Sequence, residues 1–461
     1  MNAEVHDAVL ALDLGTSSAK AVLVGRDGRT LARAEKAIET FRPAPEIAEQ
    51  DADAALQAAR TAVAELSGAC GGRPRALALA CAMHGVLPID ALGRPLARLR
   101  TWADARGDDV ARELRASDAW RALQERTGTP VHASSPLCKL AAWRREDQAL
   151  FARAAAFVSL KELLLRRVCD ANVVDVSLAS ATGLMDLRTR DWDEAALAVA
   201  GVTRGHLSRV VGTRQLVSSW RTGAAESFGL DPRTPVVVGA SDGCLANLGL
   251  DAIRPGLAAA SLGTSAALRA AVTRPGMPAD SGLFCYALDD GIWIAGGATN
   301  AAGNLLEWLA DRFYFDQLRH RRIDVMLDDA GRSDEGANGV RCTAAFAGTR
   351  FPDYDARPRG AFTGLSFAHG RADLVRAALE SIADGIAAIA AALRAQGMTC
   401  ERIRIGGGLA RAPLVRHVLA SRLGAALEPV GDDARDATAL GAATLAFAAL
   451  DGAPLRVEGR A

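Results

Sequence analysis

The chain contains 461 residues, of which 50% are hydrophobic and 23% are charged. Its 54 basic residues are balanced by 54 acidic ones, which excludes nucleic-acid binding driven by net charge and an acidic disordered tail. A chain of this length exceeds the roughly 250–300 residues at which a single core stops growing, so two domains are expected. Only four of the 54 basic residues are lysines, namely Lys20, Lys36, Lys139 and Lys161, and the other 50 are arginines.

The eight cysteines form no C-x-x-C pair, which favours buried, reduced thiols over a metal site or a disulfide framework. The first residues lack the basic region and apolar core of a signal peptide. The longest apolar run, residues 437–450, is interrupted by Thr438, Gly441 and Thr444 and is shorter than the roughly 20 residues of a membrane span. These features predict a cytoplasmic protein with neither a membrane nor a nucleic acid as partner.

Two stretches of the chain share one pattern of strand, turn and strand. Residues 8–12 and 19–24 predict two strands joined by Asp13-Leu14-Gly15-Thr16-Ser17-Ser18, and Asp27-Gly28 signals a turn into a third strand. Residues 257–260 and 266–271 predict a second hairpin, joined by Ser261-Leu262-Gly263-Thr264-Ser265. The repeated Leu-Gly-Thr-Ser turn indicates an internal duplication.

The rest of the chain alternates between segments with the hydrophobic periodicity of strands and segments with that of helices. We expect strands at residues 76–81, 235–238 and 403–405, and helices at 104–115 and 372–394. Strands interleaved with helices in both halves predict α/β domains with a seam near residues 240–255. We therefore expect one domain over residues 1–245 and a second over residues 246–461.

The two Leu-Gly-Thr-Ser turns are candidates for binding phosphate. A glycine in a tight turn lets main-chain N–H groups converge on an anion, and neighbouring hydroxyls can donate to it. A carboxylate directly before such a turn, as at Asp13, suits Mg²⁺. The alternative is a pair of ordinary hairpins. The phosphate-binding candidates are Gly15, Thr16, Ser17, Gly263, Thr264 and Ser265.

The segment Gly239-Ala240-Ser241-Asp242-Gly243 has two interpretations. It matches G-x-S-x-G, the nucleophile motif of α/β-hydrolases, which would make Ser241 a nucleophile. The alternative makes Asp242 the reactive residue, as a carboxylate at a strand end that faces the cleft between the halves. The position late in the first half and the absence of an H-G-G-G motif favour Asp242.

Two further motifs suit a nucleotide and a sugar. Consecutive glycines after a strand, Gly406-Gly407-Gly408, allow the close approach of a flat ligand such as adenine. In the first half, His84, Trp102, Asp104 and Arg106 offer a stacking face, a carboxylate and cationic donors for a polyhydroxylated ligand. For a single Trp or His, a place in the core would be the ordinary interpretation.

In this order, the motifs resemble those of the FGGY carbohydrate kinases, over nearly the whole chain (residues 8–450). Within that family the chain is most similar to bacterial gluconokinases. The similar stretches are Ala82-Met83-His84, Thr101-Trp102-Ala103-Asp104, Thr127-Gly128-Thr129-Pro130-Val131-His132, Ser135-Pro136-Leu137-Cys138-Lys139, Lys161-Glu162, residues 179–184, residues 239–249 and residues 284–288.

The resemblance implies two actin-like domains of the ribonuclease-H type, as in sugar kinases, Hsp70 and actin, with the active site in the cleft between them. It implies sugar binding mainly by the first domain, at His84, Trp102 and Asp104, and ATP binding mainly by the second, at Gly406 to Gly408. Asp242 then matches the catalytic base, and Asp13 with both turns matches the Mg²⁺ and phosphate site.

Gluconate carries a carboxylate, so a selective site should supply a cation. We expect Lys139 or Lys161 to face it, with help from His132; the alternative is a surface ion pair.

The resulting prediction is an ATP-dependent kinase that converts D-gluconate to 6-phospho-D-gluconate. Xylulose or another sugar or polyol remains an alternative substrate, and an actin-like ATPase or a serine hydrolase remains an alternative class. Gly348-Thr349-Arg350-Phe351-Pro352 departs from the family's Gly-Glu-Arg-Ala-Pro, and Asn300-Ala301-Ala302-Gly303 departs from Asn-Asn-Gly-Gly. A homodimer is compatible with the sequence.

Overall fold

A computed structural model describes residues 7–70, 72–430 and 435–455. Its first large sheet has six strands in the order β5-β6-β4-β1-β2-β3. Strands β1, β4 and β6 are parallel, and β2, β3 and β5 each run antiparallel to their neighbour. The strands are β1 (Ala8–Leu14), β2 (Ser18–Gly25), β3 (Thr30–Ala37), β4 (Leu77–Cys81), β5 (Leu216–Val217) and β6 (Val236–Ser241).

The second large sheet repeats this plan with the order β9-β10-β8-β7-β11-β12. Strands β7, β11 and β12 are parallel, and β7 and β8 form the hairpin that corresponds to β1 and β2. The strands are β7 (Leu257–Leu262), β8 (Ala266–Val272), β9 (Phe284–Asp289), β10 (Ile292–Thr299), β11 (Arg402–Gly406) and β12 (Ala426–Pro429). The shared order of hairpin and parallel strands matches the duplication that the repeated turn indicates.

Fifteen α-helices surround the sheets within the described residues. They are α1 (Ala52–Cys70), α2 (Asp108–Arg115), α3 (Ala119–Thr127), α4 (Pro136–Glu146), α5 (Gln148–Arg153), α6 (Leu160–Cys169), α7 (Val176–Ser180), α8 (Glu194–Ala200), α9 (Ala224–Ser227), α10 (Asp242–Gly249), α11 (Gly303–Phe313), α12 (Arg322–Ala330), α13 (Arg371–Ala395), α14 (Pro413–Leu423) and α15 (Ala437–Asp451).

Short strands form five additional two-stranded ladders. They pair Glu49–Gln50 with Leu99–Arg100, Leu87–Ile89 with Ala156–Val158, Val173–Asp175 with Arg209–Val211, Met185–Asp186 with Asp191–Trp192, and Arg341–Thr343 with Ala361–Thr363.

The first sheet is buried on both faces, because its residues alternate between two cores. Leu10 and Leu12 of β1 pack into the cluster that contains α1, whereas Val9 and Ala11 pack into the cluster that contains α10 and α15. That second cluster also includes residues of the second sheet, such as Ile294. Helices α10 and α15 therefore lie where the two halves of the molecule meet.

Helices α10 and α15 approach each other closely because each has a glycine at the contact. A Cβ on Gly249 would lie 1.8 Å from the Ala437 carbonyl oxygen, and a Cβ on Gly441 would lie 2.0 Å from that of Leu245. Any side chain at either position would force the helices apart.

The strand predictions at residues 76–81 and 403–405 are confirmed, as is the long helix at 372–394, which spans Arg371–Ala395. The helix predicted over residues 104–115 begins only at Asp108. Asp104 stays outside it because its carboxylate accepts a hydrogen bond from the Ala48 main-chain N–H at 3.0 Å. No helix among the described residues is long and apolar enough to span a membrane.

Candidate active site

The candidate site forms where the parallel strands of both sheets end. Because the carboxyl ends of parallel strands meet at one edge of a sheet, β1, β4 and β6 bring Asp13, residues 82–84 and Asp242 together. In the second sheet, β7 and β11 likewise bring the turn after Leu262 beside Gly406 to Gly408. Polar residues that are far apart in the sequence thus share one edge in each half.

Asp13 and Asp242 form a half-buried pair of carboxylates at the edge of the first sheet. Burial, with a smaller contribution from the charge of Asp242, raises the pKa of Asp13 to about 7 against the opposing effect of Lys20. The Oδ1 atom of Asp13 is buried and has no hydrogen-bond partner in the described part of the chain. An unpaired carboxylate oxygen next to a second carboxylate is the arrangement that a cation would stabilise.

Asp242 is the first residue of α10, directly after β6. Burial raises its pKa, and the positive charge of Arg269 together with the main-chain N–H groups of Gly243 and Met83 opposes that increase. The Gly243 N–H donates to Asp242 Oδ1 at 2.8 Å. A buried carboxylate with a raised pKa is a suitable proton acceptor.

Ser241 does not have the surroundings of a nucleophile. Its side chain is fully buried, and its hydroxyl forms a 2.8 Å hydrogen bond with the Ser177 hydroxyl rather than with a histidine. The hydrolase alternative therefore has no catalytic base at this serine, and Asp242 remains the reactive candidate in this segment.

The first turn, residues 14–18, is held in place by side chains from elsewhere in the first half. The Gly15 N–H donates to the Ser18 carbonyl oxygen at 3.1 Å and closes the turn. Trp102 Nε1 donates to Thr16 Oγ1 at 3.1 Å, and Gln50 Nε2 donates to the Thr16 carbonyl oxygen. The predicted Trp102 thus lies beside the predicted phosphate turn.

The second turn, residues 262–266, is held by the main chain instead. The N–H groups of Gly303 and Asn304, at the start of α11, donate to the carbonyl oxygens of Gly263 and Thr264 at 2.9 and 3.1 Å. Gly407 packs against it so closely that a Cβ there would lie 2.3 Å from the Leu262 carbonyl oxygen. The glycine run therefore serves close backbone packing at Gly407, while Gly408 is exposed, with open space around its Cβ position.

A small cavity of ≈ 50 Å³ lies between the halves. Both halves line it, with polar and aromatic side chains. The ring of Phe284 stacks on that of Tyr286 with centroids 4.6 Å apart. The lining residues are Met83, His84, Thr129, Pro130, His132, Ser134, Arg269, Phe284, Tyr286, Ala298, Arg350 and Tyr354.

Both histidines predicted at the site line this cavity, and both are neutral. Burial lowers the pKa of His84 to about 3, and it does the same for His132, with the charge of Arg350 adding to each effect. His84 Nδ1 lies 2.7 Å from the Ala181 carbonyl oxygen, so it carries a proton and donates it. His84 also has a left-handed backbone (φ 64°), a strained conformation that is typical of functional sites.

Arg269 and Arg350 are two charged site residues that the sequence reasoning missed. Arg269 Nη1 donates to the Ser261 hydroxyl at 3.3 Å, and Arg350 Nη2 donates to the Thr299 carbonyl oxygen at 2.8 Å. Arg350 also lies over the Trp102 ring, 5.0 Å from its centroid, and so joins the two halves. Arg269 could have been found from the sequence, because it is the only charged residue in the apolar strand Ala266–Val272. Arg350 could not, because the motif that contains it, residues 348–352, differs from that of the family.

The structure corrects the expectation for the two buried lysines. Lys139 Nζ donates to the carbonyl oxygens of His84 and Thr101 at 2.8 and 2.6 Å, and burial lowers its pKa to about 7. Lys161 Nζ donates to the Ala240 carbonyl oxygen at 3.1 Å and pairs with Asp175 at 2.5 Å.

Both lysine side chains are 0% exposed, so neither forms the surface ion pair that was the alternative. Both ammonium groups are bonded to the backbone beneath the site and do not line the cavity.

Asp104 and Arg106 also lie behind the cavity wall. Arg106 Nη2 donates to Asp104 Oδ2 at 2.7 Å and also pairs with Glu49 at 2.5 Å. Because the Asp104 carboxylate is fully buried and bonded to Ala48 as well, this pair fixes the loop of residues 46–49. Their contact with a substrate stays a prediction.

Asp13 is the only metal ligand that the sequence predicts, and the described residues add no site made of protein ligands alone. Within the described residues, no group of three or more His, Cys, Asp or Glu side chains is placed to hold a metal ion. A cation at Asp13 would therefore take its other ligands from phosphate and water, as Mg²⁺ commonly does.

Models of known families match both halves of the chain. The model described as the FGGY family of carbohydrate kinases, N-terminal domain, matches residues 8–249, and the corresponding C-terminal model matches residues 258–450. The gluconokinase of Bacillus licheniformis is 33% identical over 420 residues, which cover 89% of this chain and 82% of that protein.

Two solved structures from Lactobacillus acidophilus have the same fold. A gluconate kinase superposes with a TM-score of 0.89 at 25% identity, and a ligand-bound xylulose kinase superposes with a TM-score of 0.90 at 25% identity. Each superposition covers 96% of this chain and 89% of the other. The fold and the two-domain arrangement are thus those of a sugar kinase, and structural likeness alone does not separate the two substrates.

Proposed function

Because the chain belongs to the FGGY family of carbohydrate kinases, we propose that it transfers the γ-phosphoryl group of ATP to D-gluconate and releases 6-phospho-D-gluconate and ADP. The observation that carries this choice is the charge of the cavity. Two arginines line it, and no acidic residue does so among the residues described. Such a wall favours an anionic sugar acid over a neutral sugar such as xylulose.

Asp242 is the proposed catalytic base. The terminal hydroxyl of the substrate would donate its proton to the Asp242 carboxylate as the hydroxyl oxygen attacks the γ-phosphorus. Arg269 supports this role, because its positive charge favours the ionised carboxylate that accepts the proton. Lys161 Nζ, paired with Asp175, donates to the Ala240 carbonyl oxygen, two residues before Asp242, and so fixes the position of the base.

The two turns are the proposed site for the phosphates of ATP. In the first turn Thr16 and Ser17, and in the second Thr264 and Ser265, present hydroxyls next to glycine backbone. The exposed Gly408 leaves room for adenosine next to the second turn. Mg²⁺ fits beside the unpaired Oδ1 of Asp13, where it would neutralise part of the phosphate charge.

A substrate panel tests the choice of gluconate. We expect ADP release with D-gluconate to exceed that with xylulose, ribulose, glycerol and erythritol by at least ~100-fold in kcat/KM, since a desolvated charge pair contributes about 2–5 kcal/mol. The position of the new phosphate, read by ³¹P–¹³C coupling, should be O6. A higher kcat/KM for xylulose would make the protein a xylulose kinase instead.

The role of Asp242 is tested separately with Asp242→Asn. We expect kcat to fall by roughly 10³-fold or more, because the amide cannot accept the proton, while the Kd for ATP changes less than about threefold. Asp384→Asn is the matched control, since Asp384 is a partly exposed carboxylate on α13. Residual turnover above a few per cent in Asp242→Asn would assign the base to another group.

A further inference from the structure

Three buried donors on the cavity wall have no hydrogen-bond partner in the described structure. They are His132 Nε2, the Tyr354 hydroxyl and Arg350 Nε. All three residues line the same cavity, and the rings of His132 and Tyr354 meet edge to face with centroids 5.4 Å apart. Leaving a polar group buried and unpaired costs about 1–3 kcal/mol, so three at one place point to a ligand that completes them.

The bonding of His132 fixes which of its ring nitrogens can donate. The Ser134 main-chain N–H donates to His132 Nδ1 at 3.2 Å, so Nδ1 is an acceptor and carries no proton. The proton of the neutral ring is therefore on Nε2, the atom without a partner. With the Tyr354 hydroxyl and the Arg350 Nε–H, the cavity presents three donors, and a carboxylate accepts from all of them.

The charge of the cavity wall points the same way. Arg269 and Arg350 both line it, and within the described residues they donate to a hydroxyl and a carbonyl oxygen rather than to carboxylates. The two lining histidines are neutral and add no charge of their own. Burial lowers the pKa of Arg350 to about 10, and the charge of Arg269 opposes its ionisation as well. An anion in the cavity would reverse both effects.

Arg269 lies beside the proposed base. A Cβ on Gly243, the residue after Asp242, would lie 3.1 Å from Arg269 Nη2, so the reacting hydroxyl would lie near Arg269. Arg350 shares the cavity wall with the unpaired polar groups of His132 and Tyr354, so the far terminus of a linear substrate would lie there.

We propose that Arg350, His132 and Tyr354 form the subsite that recognises the carboxylate of the substrate, and that these three residues, rather than Lys139 and Lys161, determine specificity for a sugar acid. This inference rests on the proposed function for the identity of the substrate. It assigns Lys139 a positioning role, since its ammonium group holds the backbone of His84 and Thr101.

D-Gluconate and D-glucitol provide the test, because glucitol replaces the carboxylate of gluconate by a neutral hydroxymethyl group. We expect Arg350→Gln to lower kcat/KM for gluconate by at least 100-fold and Tyr354→Phe to lower it by about 10-fold. The value for glucitol should change less than threefold in both. Arg359→Gln is the control, since Arg359 is an exposed arginine of the same segment that bonds only local carbonyl oxygens.

The outcomes separate this inference from the proposed function. If gluconate is the best substrate but the gluconate-to-glucitol ratio is unchanged in both variants, the subsite assignment is overturned and the proposed function stands. If another aldonate is preferred and Arg350→Gln abolishes that preference, the subsite stands and gluconate is wrong. Equal losses for gluconate and glucitol would show a merely structural role and would overturn the assignment.

Discussion

The two Leu-Gly-Thr-Ser turns occupy equivalent places in two sheets of the same plan, yet they are stabilised differently. The first turn depends on side chains, because Trp102 and Gln50 donate to Thr16. The second depends on backbone, because the start of α11 donates to its carbonyl oxygens and Gly407 packs against Leu262. Duplication preserved the hairpin, and each copy acquired its own means of support.

The residue before each turn shows a second difference. Asp13 in the first sheet has Ser261 as its equivalent in the second, and Ser261 accepts a hydrogen bond from Arg269. The first half thus contributes both carboxylates, Asp13 and Asp242, and the second contributes both cavity arginines. The carboxylates of the first half and the arginines of the second attract each other, which favours closure of the cleft around a substrate.

The largest expected effect tests the backbone support of the second turn. Gly407→Ala should lower the free energy of unfolding by ~3 kcal/mol or more. A side chain would be strained at the φ of 102°, and its Cβ would clash with the Leu262 carbonyl oxygen. Gly408→Ala is the matched control, because nothing lies near its Cβ position. Urea unfolding of both variants checks this. Equal stabilities would mean that the second turn does not depend on close backbone packing.

An intermediate effect is expected from the pH dependence of Asp13, the carboxylate that the second turn lacks. Its pKa is raised in the folded state to about 7, so the stability it contributes is present at low pH and is lost as pH rises from about 4 through 7. Without Mg²⁺, the melting temperature of the wild type relative to Asp13→Asn should therefore fall by ~5 °C between pH 4.5 and pH 8.

Magnesium with ADP should remove most of that difference, because a cation stabilises the ionised carboxylate. Differential scanning calorimetry at both pH values, with and without Mg²⁺ and ADP, provides the measurement. A constant difference between wild type and Asp13→Asn across the pH range would show that Asp13 does not titrate with a raised pKa.

The smallest effect concerns side-chain support of the first turn. Trp102→Phe removes the donor to Thr16 and keeps an aromatic ring beneath Arg350, so the KM for ATP should rise about 3- to 10-fold, as expected for one hydrogen bond. Ser261→Ala, at the corresponding level of the second sheet, should change that KM less than twofold. If both variants behave alike in steady-state kinetics, the contrast between the turns has no functional consequence.

The sequence predicted most of the scaffold because its signals are local. The hairpins, the long helix of residues 371–395 and the glycine turns follow from periodicity and turn chemistry, and the resemblance of the motifs supplied the order of the two domains. Asp13, Asp242, His84 and His132 could be placed at the site because each follows a strand or belongs to a recognisable stretch.

The direction of a long side chain could not be predicted. The rarity of lysine singled out Lys139 and Lys161 correctly as unusual residues, but their ammonium groups turn to main-chain carbonyl oxygens that only tertiary packing brings near. Arg269 and Arg350 were hidden among 50 arginines, and they line one cavity only because a strand and a distant loop of the second half converge there.

Helix α15 has a consequence for the order in which the molecule can mature. It is synthesised almost 190 residues after α10, yet its Gly441 packs against α10 and its apolar residues cover one face of the first sheet. Until α15 emerges from the ribosome, that face of the first half remains uncovered and α10, which begins with Asp242, lacks its partner. We expect the Asp242 carboxylate, the proposed base, to become fixed only after α15 has been synthesised, so that a chain still lacking α15 cannot consume ATP.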